Sequence, residues 1–182
     1  MIKIIKHFDW AAIKLAALTT IGKEPKTPMP DEYWIKKAII SGHSILQFSQ
    51  CLILADMPYK VASHLVRHNK KDGFYMLIQS QREDWTGQKR NPDRIVKTII
   101  TMTPKAAIEI SRERLCQKAA EKTRDIWRDI IESLGNVICD LSVQNCIYRG
   151  FCPEFKSCGY VKTPYFAVIR KDYLEYCEAA DE

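Results

Sequence analysis

The sequence predicts an α/β protein in which helices pack against a β-sheet. Short apolar runs of strand length alternate with segments whose apolar residues recur at helical spacing. One of the helical segments is much longer than the others. The 182 residues contain no linker and no internal repeat. Residues 1–182 are therefore expected to form a single domain.

The elements of the first half are predicted one after another from spacing and end signals. A helix is expected over 9–21, and a second one from the N-cap Asp31 to about Ile40. A strand is expected over 48–55. A turn at Asp56-Met57-Pro58 then leads into a short helix at 59–66. A polar, cationic loop at 67–73 precedes a second strand at 74–80.

The second half begins with the longest predicted element. Thr103 suits an N-cap, Pro104 suits the first helical position, and Gly135 lies just past the far end. Between them the residues with helical spacing are Ile108, Leu115, Ala119, Ile126, Ile130 and Leu134. A continuous helix of roughly 31 residues would be about 46 Å long. Such a helix is expected to contain a kink or to run through a subunit interface.

Composition narrows the class of protein. Lys and Arg exceed Asp and Glu, giving a net charge of +6, which suits an anionic ligand such as a nucleotide. No apolar run reaches the ~18 residues of a membrane span, and the N-terminus lacks the pattern of a signal peptide. The basic residues are dispersed, and no nucleic-acid-binding module stands out. A cytoplasmic protein without a membrane or nucleic-acid partner is expected.

Polar side chains crowd one loop and strand. They are His64, Arg67, His68, Gln79, Ser80, Gln81 and Arg82. Arginine offers a planar fork for phosphate, while Gln, Ser and His supply neutral hydrogen bonds and a flat ring. A nucleotide would use all of these groups. The alternative is a solvated, charged edge strand.

Three blocks of the chain resemble, in the same order, the flavin-dependent thymidylate synthase family. Ser41-Gly42-His43 is similar to its Gly-His start. Arg67-His68-Asn69 and Ser80-Gln81-Arg82 are similar to its signature of Arg-His-Arg followed by Ser and Arg. The stretch 101–119, with Arg114 and Cys116, resembles its long helix. The blocks run from about Gly42 to Arg124, so the chain resembles a divergent, short member.

The chain also departs from the family pattern. Asn69 replaces the third residue of the signature, normally Arg, and the loop before Ser80 holds about three extra residues. Ile78 and His64 stand where the family usually has an acidic residue and a Gln. Lys118 stands where it has a His.

The resemblance implies a fold, a reaction and an assembly. The fold would be of the thymidylate synthase-complementing type, with an antiparallel sheet, in a homotetramer whose sites lie between subunits. FAD would take hydride from NADPH, methylenetetrahydrofolate would supply the carbon, and dUMP would become dTMP. The flavin does the redox chemistry while the protein orients and polarises the reactants.

The resemblance also implies roles for individual residues. Those expected to bind FAD are His43, Arg67, His68, Asn69 and Lys118. Those expected to bind the uracil nucleotide are His64, Gln79, Ser80, Gln81, Arg82 and Arg114. Arg114 and Ser80 are the expected catalytic residues, with Arg114 stabilising negative charge that develops on the ring. No cysteine acts as a nucleophile in this scheme.

Two alternatives stay open because of the departures. One is a related flavin enzyme that modifies another pyrimidine nucleotide, for example by hydroxymethylation. The other is a nucleotide-binding homologue that has lost catalysis.

The seven cysteines are expected to be thiols, because nothing in the sequence directs the chain to an oxidising compartment. Cys146, Cys152 and Cys158 recur every six residues within a cysteine-containing segment at about 139–160. They suggest a zinc site, although structural zinc usually uses closer Cys pairs. Free thiols in a loop are the alternative.

Overall fold

A computed structural model describes residues 1–69 and 71–179. Lys70, in the predicted cationic loop, and the acidic end at 180–182 lie outside the described residues. The strands are β1 (Ile2–Lys6), β2 (Cys51–Pro58), β3 (Tyr75–Ile78) and β4 (Ile95–Met102). The helices are α1 (Trp10–Thr19), α2 (Glu32–Ser41), α3 (Tyr59–Leu65), α4 (Glu83–Thr86), α5 (Pro104–Arg114), α6 (Glu121–Glu132), α7 (Asn136–Leu141), α8 (Asn145–Arg149) and α9 (Pro164–Glu178).

The sheet is antiparallel throughout, with strand order β1-β2-β4-β3. The α/β class predicted from the sequence and the antiparallel sheet implied by the family resemblance are thereby confirmed. The central pair β2 and β4 runs in register from Cys51 opposite Met102 to Pro58 opposite Ile95. Strands β1 and β4 were not predicted, although β4 alternates between exposed and buried residues as a half-buried strand should.

One face of the sheet carries the core. Its buried side chains on β2 and β4 are Cys51, Ile53, Ala55, Met57, Val96, Thr98, Ile100 and Met102. The opposite face leaves Leu54, Leu77 and Ile99 exposed. An antiparallel sheet with one solvated face normally carries polar residues there, so this face is unusually apolar.

The predicted long helix is wrong, because the chain forms α5 and α6 with a break between them. The side chains of Ser111 and Trp127 explain the break: Nε1 of Trp127 donates a hydrogen bond to Oγ of Ser111 at 2.9 Å. In one straight helix these two residues would lie about 24 Å apart. The chain instead turns back at 115–120, which buries Trp127 completely against Phe74, with ring centroids 6.3 Å apart. The 46 Å length therefore gives no support for a subunit interface.

The predicted helix starts are confirmed in atomic detail. Oδ1 of Asp31 accepts from the amide of Trp34 at 2.8 Å, and Oγ1 of Thr103 accepts from the amide of Ala106 at 3.1 Å. Oγ1 of Thr103 also donates to the carbonyl of Asp72 at 2.6 Å. This second bond fixes the loop before β3 against the start of α5.

The C-terminal part packs as a smaller unit beside the main core. Cys146, Ile147 and Phe166 form its buried cluster, and Tyr173 of α9 contacts both this cluster and the main core. None of the seven cysteines forms a disulfide in the structure. No helix among the described residues is long and apolar enough to cross a membrane.

Candidate functional site

The centre of the site is a pair formed by Arg114 and His68. Arg114 ends α5, and His68 lies in the short turn after α3. Nε of Arg114 donates to Nε2 of His68 at 2.7 Å, and Nη2 donates to the carbonyl of His64 at 3.3 Å. Because a guanidinium has no acceptor, Nε2 of His68 must carry the lone pair and Nδ1 the proton. The pairing therefore selects one tautomer of the imidazole.

The electrostatic surroundings keep His68 neutral. Burial, reinforced by the charges of Arg114 and Lys71, lowers the pKa of His68 to about 4, although Glu113 acts in the opposite direction. Burial also lowers the pKa of Arg114, against the raising effect of Glu113. At neutral pH the pair is thus an uncharged ring held by a partly desolvated cation.

A salt bridge borders this pair. Nζ of Lys71 lies 2.6 Å from Oε1 of Glu113, and both side chains are partly exposed. Burial raises the pKa of Glu113, but the hydrogen bond and charge of Lys71 outweigh it and leave the pKa below the ordinary value. Since Lys71 neutralises Glu113, the positive charge of Arg114 is left largely uncompensated.

His64 ties the same region to α6. Its Nδ1 lies 2.9 Å from Oγ1 of Thr123. Burial, followed by the charges of Arg67 and Arg114, lowers the pKa of His64. His64 is therefore a second neutral imidazole, facing α6.

A cavity of about 330 Å³ opens where β3 ends. Its lining residues are Tyr59, Ile78, Gln79, Ser80, Gln81, Arg82 and Arg90. The volume lies at the lower end of the range for small-molecule sites. Four of the residues predicted to bind a nucleotide therefore share one cavity.

Two glutamines build the walls of this cavity. Oε1 of Gln79 accepts from the amide of Lys97 at 3.0 Å, which continues the pairing of β3 with β4. The buried amide of Gln81 accepts from the amide of Asn91 at 2.8 Å and donates to its carbonyl at 3.0 Å. Both glutamine amides are thus used to hold backbone, while the cavity keeps its shape.

The hydroxyl of Ser80 and the two arginines of the cavity have different partners. Oγ of Ser80 accepts from the amide of Arg82 at 3.2 Å. Arg82 is exposed, forms a two-pronged contact with Asp84, and lies over the ring of Trp85 at 4.7 Å. The guanidinium of Arg90 lies over the ring of Tyr59, 4.8 Å from its centroid. It also donates a hydrogen bond to the hydroxyl oxygen of the same tyrosine.

Sequence reasoning missed Arg90 and Tyr59. Arg90 follows Lys89 in the stretch between Arg82 and Thr103, for which the sequence predicts no element and no binding residue. Tyr59 directly follows Pro58 at the start of α3. An aromatic ring and a cation 31 positions apart become neighbours only through the fold.

The remaining predicted residues lie apart from this cavity. His43 and Arg67 are exposed. Asn69 is also exposed, but its side-chain amide pairs with the backbone of Met76 at 2.8 and 3.1 Å, so it anchors β3. Lys118 lines a separate cavity of about 290 Å³, which it shares with Arg114.

The predicted zinc ligands also lie on that second cavity. Cys146, Cys152 and Cys158 line it together with Cys116. Within 1–69 and 71–179, however, no three His, Cys, Asp or Glu side chains are grouped so that they could hold one metal ion. The structure places the three cysteines on one cavity, and zinc binding by them stays a prediction.

Comparison with known proteins defines the fold that carries these features. No family model and no curated protein matches the sequence. Among solved structures the chain is similar to one described as a UMP/dUMP methylase PolB from Streptomyces cacaoi bound with 5-Br dUMP. The TM-score is 0.58 at 12% identity, covering 83% of this chain and 95% of that chain. The two proteins share a fold.

Proposed function

We propose that this protein binds a uracil deoxynucleotide and methylates its base, converting dUMP to dTMP. The observation that carries the proposal is the cavity at the end of β3, where Ser80, Arg82 and Arg90 converge in a fold shared with a UMP/dUMP methylase. A nucleotide offers a dianionic phosphate and a flat polar ring. The cavity offers cations, a hydroxyl and an aromatic side chain.

Arg90 and Arg82 are the proposed phosphate ligands. Arg90 has no carboxylate partner among the described residues and is held in place by Tyr59. Arg82 is paired with Asp84 on an exposed surface, where such a pair contributes little to stability. Exchanging that partner for a phosphate therefore costs little, and charge-assisted hydrogen bonds to phosphate are strong.

Arg114 is proposed to act on the ring of the substrate. A cation held by His68 and the carbonyl of His64 is fixed before substrate arrives. Such preorganised charge stabilises negative charge that develops on a pyrimidine during transfer of a carbon group. Ser80 would contribute a hydrogen bond to the nucleotide, without forming a covalent bond.

The complete site is proposed to form between subunits of a homotetramer. Arg114 and Ser80 line different cavities of one chain, which supports a site that a second subunit completes. The exposed apolar face with Leu54, Leu77 and Ile99 provides a surface for a second copy. Association would bring Arg114 of one subunit toward the β3 cavity of another.

FAD, with NADPH and methylenetetrahydrofolate as co-substrates, is the proposed redox system. The cationic residues Arg67, Arg114 and Lys118 fit the phosphates of such a cofactor, whereas Asn69 does not fit, because its amide is already used by β3. Bound FAD would supply hydride transfer. Arg67 and Lys118 would hold its anionic part, and neutral His68 would present Nδ1–H as a donor.

Calorimetric titration with dUMP and deoxyuridine tests the nucleotide site. Arg90→Ala should weaken dUMP binding by ~1.5–3 kcal/mol, roughly 10- to 150-fold, since it removes a charge-assisted hydrogen bond. It should leave deoxyuridine binding nearly unchanged, because deoxyuridine has no phosphate. Arg128→Ala is the matched control: Arg128 is an exposed cation on α6, paired with Asp125 at 3.5 Å.

Binding and turnover of dUMP together distinguish a methylase from the two alternatives, a binding homologue and a hydroxymethylating enzyme. Equal weakening of dUMP by Arg90→Ala and Arg128→Ala would contradict the placement of the phosphate. Binding of dUMP without any turnover in the presence of FAD and both co-substrates would identify a binding homologue. A hydroxymethyl product would identify the related pyrimidine-modifying enzyme.

A further inference from the structure

Four of the seven cysteines line one cavity, the one of about 290 Å³ beside α5. Cys116 comes just after α5, and Cys146 lies in α8. Cys152 and Cys158 belong to the irregular segment that follows α8. The cysteines outside this cavity are Cys51, Cys139 and Cys177. The fold thus adds Cys116 to the three evenly spaced cysteines, although it is 30 residues away from the first of them.

The arrangement does not suit a single metal ion. Zinc binds thiolates at about 2.3 Å, so its sulfur ligands must be nearly in contact with one another. Within the part of the chain that the structure describes, no three potential ligands are grouped in that way. Four thiols around an open cavity instead suit a cluster of several metal ions, in which each metal binds one thiolate.

The walls of the cavity are cationic. Arg112, Arg114 and Lys118 line it, against the carboxylates of Glu113 and Glu154. Glu113 is neutralised by Lys71 at 2.6 Å, and Arg112 by Glu109 at 2.7 Å. Arg114 and Lys118 then face only Glu154, which leaves a positive surplus. An iron–sulfur cluster with four thiolate ligands is an anion, so this surplus favours it.

One unused hydrogen-bond donor also belongs to a residue that lines the cavity. The buried Nε of Arg112 has no hydrogen-bond partner within the described residues, and its guanidinium stacks on Tyr148 at 3.6 Å. Inorganic sulfide and cysteine sulfur accept hydrogen bonds in iron–sulfur centres, and such bonds tune their potential. The segment that carries Cys152 and Cys158 is itself fastened by Nζ of Lys118, which donates to the carbonyl of Lys156 at 2.8 Å.

We propose that this cavity binds a [4Fe–4S] cluster through Cys116, Cys146, Cys152 and Cys158, one cysteine to each iron. Four cysteine thiolates are the usual ligand set of such clusters. A Cys-Pro pair, here Cys152-Pro153, also occurs among the ligands of cluster-binding sequences. Arg114 and Lys118 of this cavity also belong to the proposed flavin and substrate sites, but cluster uptake is measured without nucleotide or flavin, so the two proposals fail separately.

Insertion of a preformed cluster requires only ligand exchange. Each of the four cysteine thiols gives its proton to one departing external thiolate as its sulfur bonds to that iron. Four iron–sulfur bonds to external ligands break and four to the protein form. The oxidation states of the irons do not change.

Anaerobic transfer from a synthetic [4Fe–4S] cluster carrying four 2-mercaptoethanol ligands tests the proposal. After desalting, the full chain should retain roughly four iron and four acid-labile sulfide per chain, with visible absorption that dithionite bleaches. Cys158→Ser and Cys152→Ser should each lower iron retention at least about fivefold. Cys158 is exposed and Cys152 partly exposed, so both variants should fold.

Cys177→Ser is the matched control, because it removes a partly exposed thiol on α9, outside the cavity. It should retain the cluster in full, and circular dichroism should be the same for all variants. Three results would overturn the proposal: no cluster uptake by the parent chain, equal uptake by all variants, or purified chain holding one zinc per molecule that excludes the cluster.

Discussion

Lowering the pH from about 7 to about 5 should destabilise the fold through His68. This side chain is only 6% exposed, and its Nε2 already accepts a hydrogen bond from Arg114. Its pKa is about 4 in the folded protein, against an ordinary value of 6.5. In that interval the unfolded chain binds a proton at His68 that the folded chain does not. The contribution of neutral His68 to stability is therefore fully present above the ordinary pKa of 6.5, and it is lost as the pH falls toward 4.

The size of the effect follows from the shift. A difference between 6.5 and about 4 corresponds to at most roughly 3 kcal/mol, of which about 2 kcal/mol is lost between pH 7 and 5. His64 contributes with the same sign, because its pKa is also lowered. A variant of His68 alone is needed to separate the two.

Urea unfolding at both pH values provides the assay. His68→Gln keeps an acceptor for Arg114 but cannot be protonated, so its free energy of unfolding should vary with pH by about 2 kcal/mol less than that of the parent. His7→Gln, at an exposed histidine, is the control and should keep the parent's pH dependence. An unchanged pH dependence in His68→Gln would show that protonation of His68 does not destabilise the fold.

Three further predictions concern packing, backbone and assembly. Trp127→Phe removes the indole donor to Ser111 and should cost about 1–2 kcal/mol in urea unfolding; no loss would contradict the role of this bond. Gly73→Ala places a Cβ 2.6 Å from Cγ2 of Thr103 at a φ of +85° and should cost about 2 kcal/mol or more; Gly22→Ala, also at positive φ but in open space, should cost less. Light scattering should give about four times the chain mass of 21.1 kDa; a monomer would contradict the shared site.

Local signals in the sequence were sufficient for several elements. Asp31 and Thr103 cap the helices that their positions predicted, because capping depends on residues only three positions apart. The resemblance also placed His68 and Arg114 in one site, and their side chains are in contact. The observed strands are nevertheless shifted or shorter: β2 begins at Cys51 and includes Pro58, and β3 covers only Tyr75–Ile78.

The features that the sequence did not predict depend on contacts between residues far apart in the chain. Residues 115–120 contain no Gly or Pro, so nothing local predicts the break that lets Trp127 reach Ser111. The pairing of Gln81 with Asn91, which shapes the nucleotide cavity, joins two loops. The meeting of Cys116 with the C-terminal cysteines needs α5 and α8 to pack together, which the structure shows.

The proposed conversion of dUMP to dTMP is measured directly by product analysis. The chain is incubated anaerobically with dUMP, FAD, NADPH and methylenetetrahydrofolate, and the nucleotides are separated by liquid chromatography with mass detection. We expect dTMP, formed at a rate that Arg114→Ala lowers by about a hundredfold or more through kcat, while Arg128→Ala leaves the rate unchanged. Unmodified dUMP after many hours, from a sample that binds both dUMP and FAD, would contradict the proposed conversion.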